Sequence, residues 1–141
     1  MTSARMGRRY IEEAEFRLKL VGLAADRERW ATVVREAQEC VELFLKGALR
    51  LVAVEPTRTH DVARLLRREA ARFPTWFRVE IDRLGAISTE MAGDRGIAFY
   101  GDEHQDLGPQ DLFTAADAAR ATANLDHVAV LCTRLLRSLP E

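Results

Sequence analysis

Lysine is almost missing from this chain: of its 21 basic residues only Lys19 and Lys46 are lysines, and the rest are arginines. A GC-rich or thermophilic genome yields the same bias, so it identifies no function by itself. Cysteine is equally sparse. Cys40 and Cys132 stand far apart inside helical patterns and neither belongs to a Cys-x-x-Cys pair, which argues against a metal cluster and for buried thiols in a reducing compartment. The three histidines, His60, His104 and His127, include no pair at the four-residue spacing of helical metal sites. Neither a metal nor a cofactor is expected. No stretch approaches the roughly 20 apolar residues that span a bilayer. Residues 1–10 are basic but lead into an amphipathic segment with Glu12, Glu13 and Glu15 instead of an apolar leader core. The expected compartment is the cytoplasm, with no membrane partner. A Gly-rich phosphate loop and a nucleophile elbow are also missing. The formal net charge of −1 supplies no global basic field, so any anion binding must be local.

What is present is helical. The 141 residues are 48% hydrophobic and 30% charged, enough for one domain, residues 1–141, to bury a core without staples. Apolar residues recur at three and four throughout and no strand-like alternation survives, so the class is all-α. Helices are expected over about residues 3–25, 28–54, 60–73, 75–92 and 115–139. Thr59 is placed to cap the third, Gly93 to close the fourth, and Thr114 with Asp117 to open the last. The short reversal near residues 26–29 folds the first two into an antiparallel hairpin. Residues 93–113, with Gly96, Gly101, Gly108 and Pro109, form one long irregular loop before the last helix, and loops of that length are often functional.

The second helix is the most informative element. Trp30, Val33, Val34, Ala37, Val41, Phe44, Leu45, Ala48, Leu49 and Val52 make one wide apolar stripe. Beside it run Gln38, Glu42 and Lys46, one turn apart, with the acid four residues ahead of the base in the favoured orientation. Three polar groups next to such a stripe either face water or answer to something bound. Pro56-Thr57-Arg58-Thr59-His60-Asp61 follows. His60 fits a role in fixing this loop better than one in catalysis, since a helix start disfavours a charged imidazole.

Trp30, the run Arg35-Glu36-Ala37-Gln38-Glu39 leading to Glu42 and Lys46, Glu55-Pro56, and His60-Asp61-Val62 leading to Leu65-Leu66 together resemble the HEPN family. The segment from Asp94 to Glu103, Asp-Arg-Gly-Ile-Ala-Phe-Tyr-Gly-Asp-Glu, is similar to one that a prokaryotic branch carries between its last two long helices. The resemblance implies a four- or five-helix bundle that forms a homodimer. It also implies binding of a nucleotide or RNA beside a separately encoded nucleotidyltransferase partner, in some cases as a toxin–antitoxin pair. Some members are metal-independent ribonucleases that use an arginine and, after four to six residues, a histidine.

Arg120 and His127, with six residues between them, satisfy that spacing and are the candidate catalytic pair. Ala121 stands where the enzymes often carry a polar residue. A histidine there would move a proton at a ribose 2′-hydroxyl and an arginine would stabilise charge on the phosphate. The plainer alternative packs His127 at a helix interface and leaves Arg120 in surface ion pairs. The rival, ligand-binding centre is Arg95, Tyr100, Asp102 and Glu103 in the glycine-bearing loop, joined by Glu42 and Lys46, where arginine and tyrosine suit a phosphate and a base. Its plainer alternative pairs Arg95 with Glu42 or Asp102 while Phe99 and Tyr100 plug the loop's underside. Arg64, Arg68 and Arg72 recur every four residues as a basic stripe, either a solvated face or a contact to a phosphate backbone. A protein-interaction adaptor without ligand is the third function class, and its signature would be an exposed apolar patch on the first or last helix.

Overall fold

The computed structural model describes residues 4–140, so the expected start of the first helix at Ser3 lies outside the described residues. The chain runs α1 (Ala4–Asp26), α2 (Trp30–Leu51), α3 (Ala63–Arg68), a 3-10 turn (Ala70–Arg72), α4 (Thr75–Arg78), α5 (Ile81–Tyr100), α6 (Pro109–Leu112) and α7 (Ala115–Ser138). There is no strand among the described residues, and the all-α class holds.

α2 is the axis of the bundle. It buries Val33, Ala37, Cys40, Val41, Phe44, Leu45, Ala48 and Leu49, and a helix apolar on so much of its circumference must be surrounded. α1, α5 and α7 surround it. The α1–α2 reversal is tight because Glu28 takes φ 55° while the Arg29 amide returns to the Ala24 carbonyl at 2.9 Å, closing α1 in left-handed geometry. The two helices approach most closely at Gly7 and Gly47, where a Cβ on Gly47 would stand 2.8 Å from Ile11 Cγ1 and 3.0 Å from the Gly7 carbonyl oxygen. Arg95 on α5 meets Gln38 on α2, and Phe99 lies beneath Arg35, so these two run antiparallel. Arg120 and His127 on α7 meet Glu90 and Glu80 respectively, so α7 runs antiparallel to α5. The four long helices therefore go up, down, up and down.

The third and fourth helices differ from expectation. The third helix is shorter than residues 60–73, starting at Ala63 and giving way to the 3-10 turn after Arg68. Thr59 does not cap it. Asp61 Oδ1 accepts the Ala63 amide at 2.9 Å and Thr59 Oγ1 donates to the Asp61 carbonyl at 3.0 Å, a local side-chain turn that outcompetes helix over residues 59–62. The Val62 amide is taken by buried Ser88 Oγ at 3.0 Å. The fourth helix is split at Val79 and Glu80, and its second part does not stop at Gly93 but continues to Tyr100. Burial of Met91 and Ala98 and the reach of Arg95 to α2 outweigh the roughly 1 kcal/mol that each interior glycine costs a helix. Gly101, at φ 80°, is the true stop.

The irregular stretch before α7 is correspondingly short and tied down. Asp102 and Leu107 exchange backbone hydrogen bonds at 2.9 and 3.0 Å, and Asp102 Oδ1 accepts the His104 and Gln105 amides. The Thr114–Asp117 capping box is present, with the Thr114 amide donating to Asp117 Oδ2 at 2.8 Å and the Asp117 amide to Thr114 Oγ1 at 3.3 Å. Among the described residues no helix is long and apolar enough to cross a membrane, and no cluster of His, Cys, Asp and Glu is arranged to hold a metal ion.

Candidate functional site

The four-residue spacing of Gln38, Glu42 and Lys46 makes a ladder on one face of α2. Lys46 Nζ donates to Glu42 Oε2 at 2.9 Å, Gln38 Nε2 donates to Glu42 Oε1 at 2.9 Å, and His60 Nδ1 lies 2.8 Å from that same oxygen. Arg95 Nη1 donates to Gln38 Oε1 at 2.7 Å and reaches Glu39 Oε1 at 3.4 Å. Glu39 also receives Arg17 of α1 at 3.1 Å and Arg35 at 3.4 Å. Burial would push the Glu42 carboxyl up, but hydrogen bonds from Lys46, Gln38 and His60 overcome it and hold the group below its ordinary value. Gln38 and Lys46 are buried, 2% and 9% exposed. The ladder faces neither water nor an open cleft; its members satisfy one another and clasp the loop at His60 and the helix at Arg95 to α2.

One of several accessible hollows lies about two turns away, at the start of α2. It measures about 280 Å³ and is lined by Glu28, Arg29, Trp30, Arg35, Phe99 and Gln110, among others. The Arg35 guanidinium sits 4.1 Å from the centre of the Phe99 ring, and Glu36 and Glu39 bracket it at 3.4 Å. Phe99 meets Tyr100 edge to face at 4.5 Å, and both are exposed, so they do not plug the loop's underside. No side chain caps the first turn of α2, and the residues of that turn line the hollow, so the positive end of a long helix lies beside it. Arginine, an exposed ring and a carboxamide in one concavity can bind a phosphate, stack a base and read its edge.

Glu42, Lys46 and Arg95 are thus brought together in the ladder, while Asp102 folds its own loop and Glu103 stands exposed without contact to either feature. Arg95 pairs with Gln38 and Glu39, not with Glu42 or Asp102. Arg29, Arg35 and Gln110 were not singled out from sequence as ligand contacts. Arg35 and Trp30 carried a signal in the family-like run, but only the fold sets them opposite Phe99.

The candidate catalytic pair occupies the α5–α7 face. Arg120 Nε lies 2.6 Å from Glu90 Oε1, and His127 Nε2 lies 3.1 Å from Glu80 Oε2. Seven residues along one helix separate them by about 10 Å. Arg120 borders a hollow of about 380 Å³ that also contains Glu90, Asp94 and Asp117. Burial, then the nearby Glu90 and Asp117 charges, push the Asp94 carboxyl up, with Arg120 opposing them. The basic stripe is not one continuous helix face, because the helix breaks after Arg68, and it is partly neutralised, because Glu69 binds both Arg68 and Arg72.

A family model described as the HEPN domain matches residues 8–132. The chain belongs to the HEPN domain family. No curated protein and no solved structure gives a match. Membership makes this HEPN domain a nucleotide- or RNA-related helical module.

Proposed function

We propose that this HEPN domain binds a nucleotide or a short RNA segment without chemistry of its own, acting beside a separately encoded nucleotidyltransferase in a toxin–antitoxin setting. The observation that supports this reading is the hollow at the uncapped start of α2, where Arg35 lies against Phe99 with Arg29, Trp30 and Gln110 around it. Its aromatic surface and guanidinium groups match a base and a phosphate, and the ladder behind it fixes the helix faces that carry them.

Titration calorimetry with a nucleoside triphosphate tests the proposal. Arg35→Ala and Phe99→Ala are each expected to weaken binding by roughly 10- to 100-fold, the worth of a charge-assisted hydrogen bond or a stacked base. Binding that neither variant alters would move the site elsewhere. Co-purification with a nucleotidyltransferase tests the partner.

A ribonuclease using Arg120 and His127 across a dimer has less support. A phosphate reaching Arg120 would have to displace Glu90 and approach Asp94 and Asp117. An RNA-cleavage assay of wild type against His127→Ala decides it: activity lost in the variant would reverse this ranking.

A further inference from the structure

A second hollow, of about 340 Å³, adjoins the one that holds Arg35 and Phe99. It is lined by Leu20 and Leu23 of α1, by Arg27 and Arg29 of the reversal that follows, and by Thr32 and Glu36 of α2, among others. Arg29 and Thr32 line the first hollow as well, so the two share a wall. Three features of the second hollow find no answer within the chain. Glu36 Oε1 accepts Arg35 Nη1 at 3.4 Å, but Oε2 is buried with no hydrogen-bond partner. Buried side-chain oxygens nearly always have a donor, so this one points to a donor supplied from outside. Leu20 and Leu23 are 38% and 55% exposed. Arg27 and Arg29 are exposed and have no carboxylate partner among the described residues.

The combination selects the occupant. A simple amine would satisfy Glu36 but be repelled by Arg27 and Arg29, and a free phosphate would satisfy the arginines but leave Glu36 Oε2 without a donor. A ligand that carries an anion, an apolar face and an amino group answers all three, and a nucleotide whose base bears an exocyclic amine is such a ligand. The shared wall decides how it is linked. Arg29 lines both hollows, where it can hold the phosphodiester that joins a base on Phe99 to a base on Leu20 and Leu23. Each hollow alone is near the lower limit of about 300 Å³ for ligand sites; in series they suit a chain. Resting on the nucleotide reading above, we propose that the two hollows are consecutive subsites for a short RNA strand, and that Glu36 reads the second base, taking adenine, cytosine or guanine in preference to uracil. An amino group donates to the carboxylate, whereas the carbonyl oxygens of uracil repel it.

Titration calorimetry of the full chain tests this with three probes: cytidine monophosphate, the 5′-phosphorylated cytidine dinucleotide and the matching uridine dinucleotide. The cytidine dinucleotide is expected to bind at least roughly tenfold more tightly than the monophosphate, the worth of one further base contact. It should exceed the uridine dinucleotide by a similar factor, because the two pyrimidines stack alike and differ in the amino group. Arg27→Ala, at an exposed residue outside the first hollow, should weaken the cytidine dinucleotide by about tenfold and leave the monophosphate unchanged. Glu36→Gln exchanges an oxygen for an amide that can also donate, so the two dinucleotides should then bind alike; a cooperative melt checks that this variant folds, and Arg27→Ala decides if it does not. A dinucleotide no tighter than the monophosphate overturns the inference, as does a cytidine preference that survives Glu36→Gln. The reading of the first hollow fails separately. Monophosphate binding lost in Arg35→Ala, with no gain from a second nucleotide, sinks the second subsite alone, whereas binding of all three probes that neither Arg35→Ala nor Phe99→Ala alters sinks both.

Discussion

Glu42 takes three partners from two directions: Gln38 and Lys46 along its own helix and His60 from the loop beyond Pro56. The intrahelical pairs follow from four-residue spacing and were legible in the sequence. The pairings with His60 and with Arg95, which is 57 residues from Gln38, were not, because spacing carries no information across a turn of the chain. The loop-fixing reading of His60 survives for a reason different from the one sequence offered: the residue is outside α3 and bonds to α2. Removing the charge by Glu42→Gln leaves Lys46 buried without its counter-ion and should cost roughly 2–4 kcal/mol in denaturant unfolding. The pH dependence has a definite sign. A carboxyl held below its ordinary value of 4.5 in the folded protein binds protons more readily when unfolded. Its contribution is therefore complete above about pH 5 and is lost as pH falls through and below that value. Stability curves of the wild type should drop more steeply below pH 5 than those of Glu42→Gln; parallel curves would mean that the ladder contributes nothing through its charge.

At the scale of elements, the long helices were recoverable because apolar periodicity dominates them, and the Thr114–Asp117 box was read correctly because its signal is contained within four residues. The end of α5 was not. Gly93 looks like a stop from its local sequence, yet a Cβ there would meet nothing within 4 Å, so this glycine answers no steric demand. Gly101 differs. At φ 80° and ψ −157° it occupies backbone space essentially closed to other residues, and an added Cβ would run into the Leu107 carbonyl. Gly101→Ala should cost about 1–3 kcal/mol and loosen the Asp102–Leu107 bridge, seen as faster amide exchange at Asp102 and Leu107. Gly93→Ala should be neutral or stabilise by up to about 1 kcal/mol. If both substitutions behaved alike, the left-handed turn would not be what ends α5. The candidate site depends on this boundary, since only a helix that reaches Tyr100 delivers Phe99 to Arg35.

The whole molecule is organised around α2, and its two thiols report on that organisation. Cys40 lies on α2 and Cys132 on α7, both with no exposed surface and both within one core cluster. Burial, with a smaller push from the Glu36 carboxylate, raises the Cys40 thiol to about 12, and burial alone raises Cys132 as well. Neither can present a thiolate to a reagent unless the core opens. Native protein should therefore react with a thiol reagent at least roughly a thousandfold more slowly than unfolded chain, as expected when only the unfolded fraction is competent. The relation between the two rates carries more information. Cys40 Sγ contacts the Ala14 carbonyl of α1 at 3.8 Å, so α1 alone covers it on that side. Separation of α1 would expose Cys40 while Cys132 stayed buried against the rest of the bundle. Equal rates across a denaturant series would mean that the four long helices open as one unit, whereas faster labelling of Cys40 would identify α1 as separately mobile. Equal rates are the expected outcome, because α1 buries Ile11, Ala14, Val21 and Ala24 against the bundle and its Arg17 binds Glu39 of α2, so detaching α1 would open the core that it shares with the other long helices.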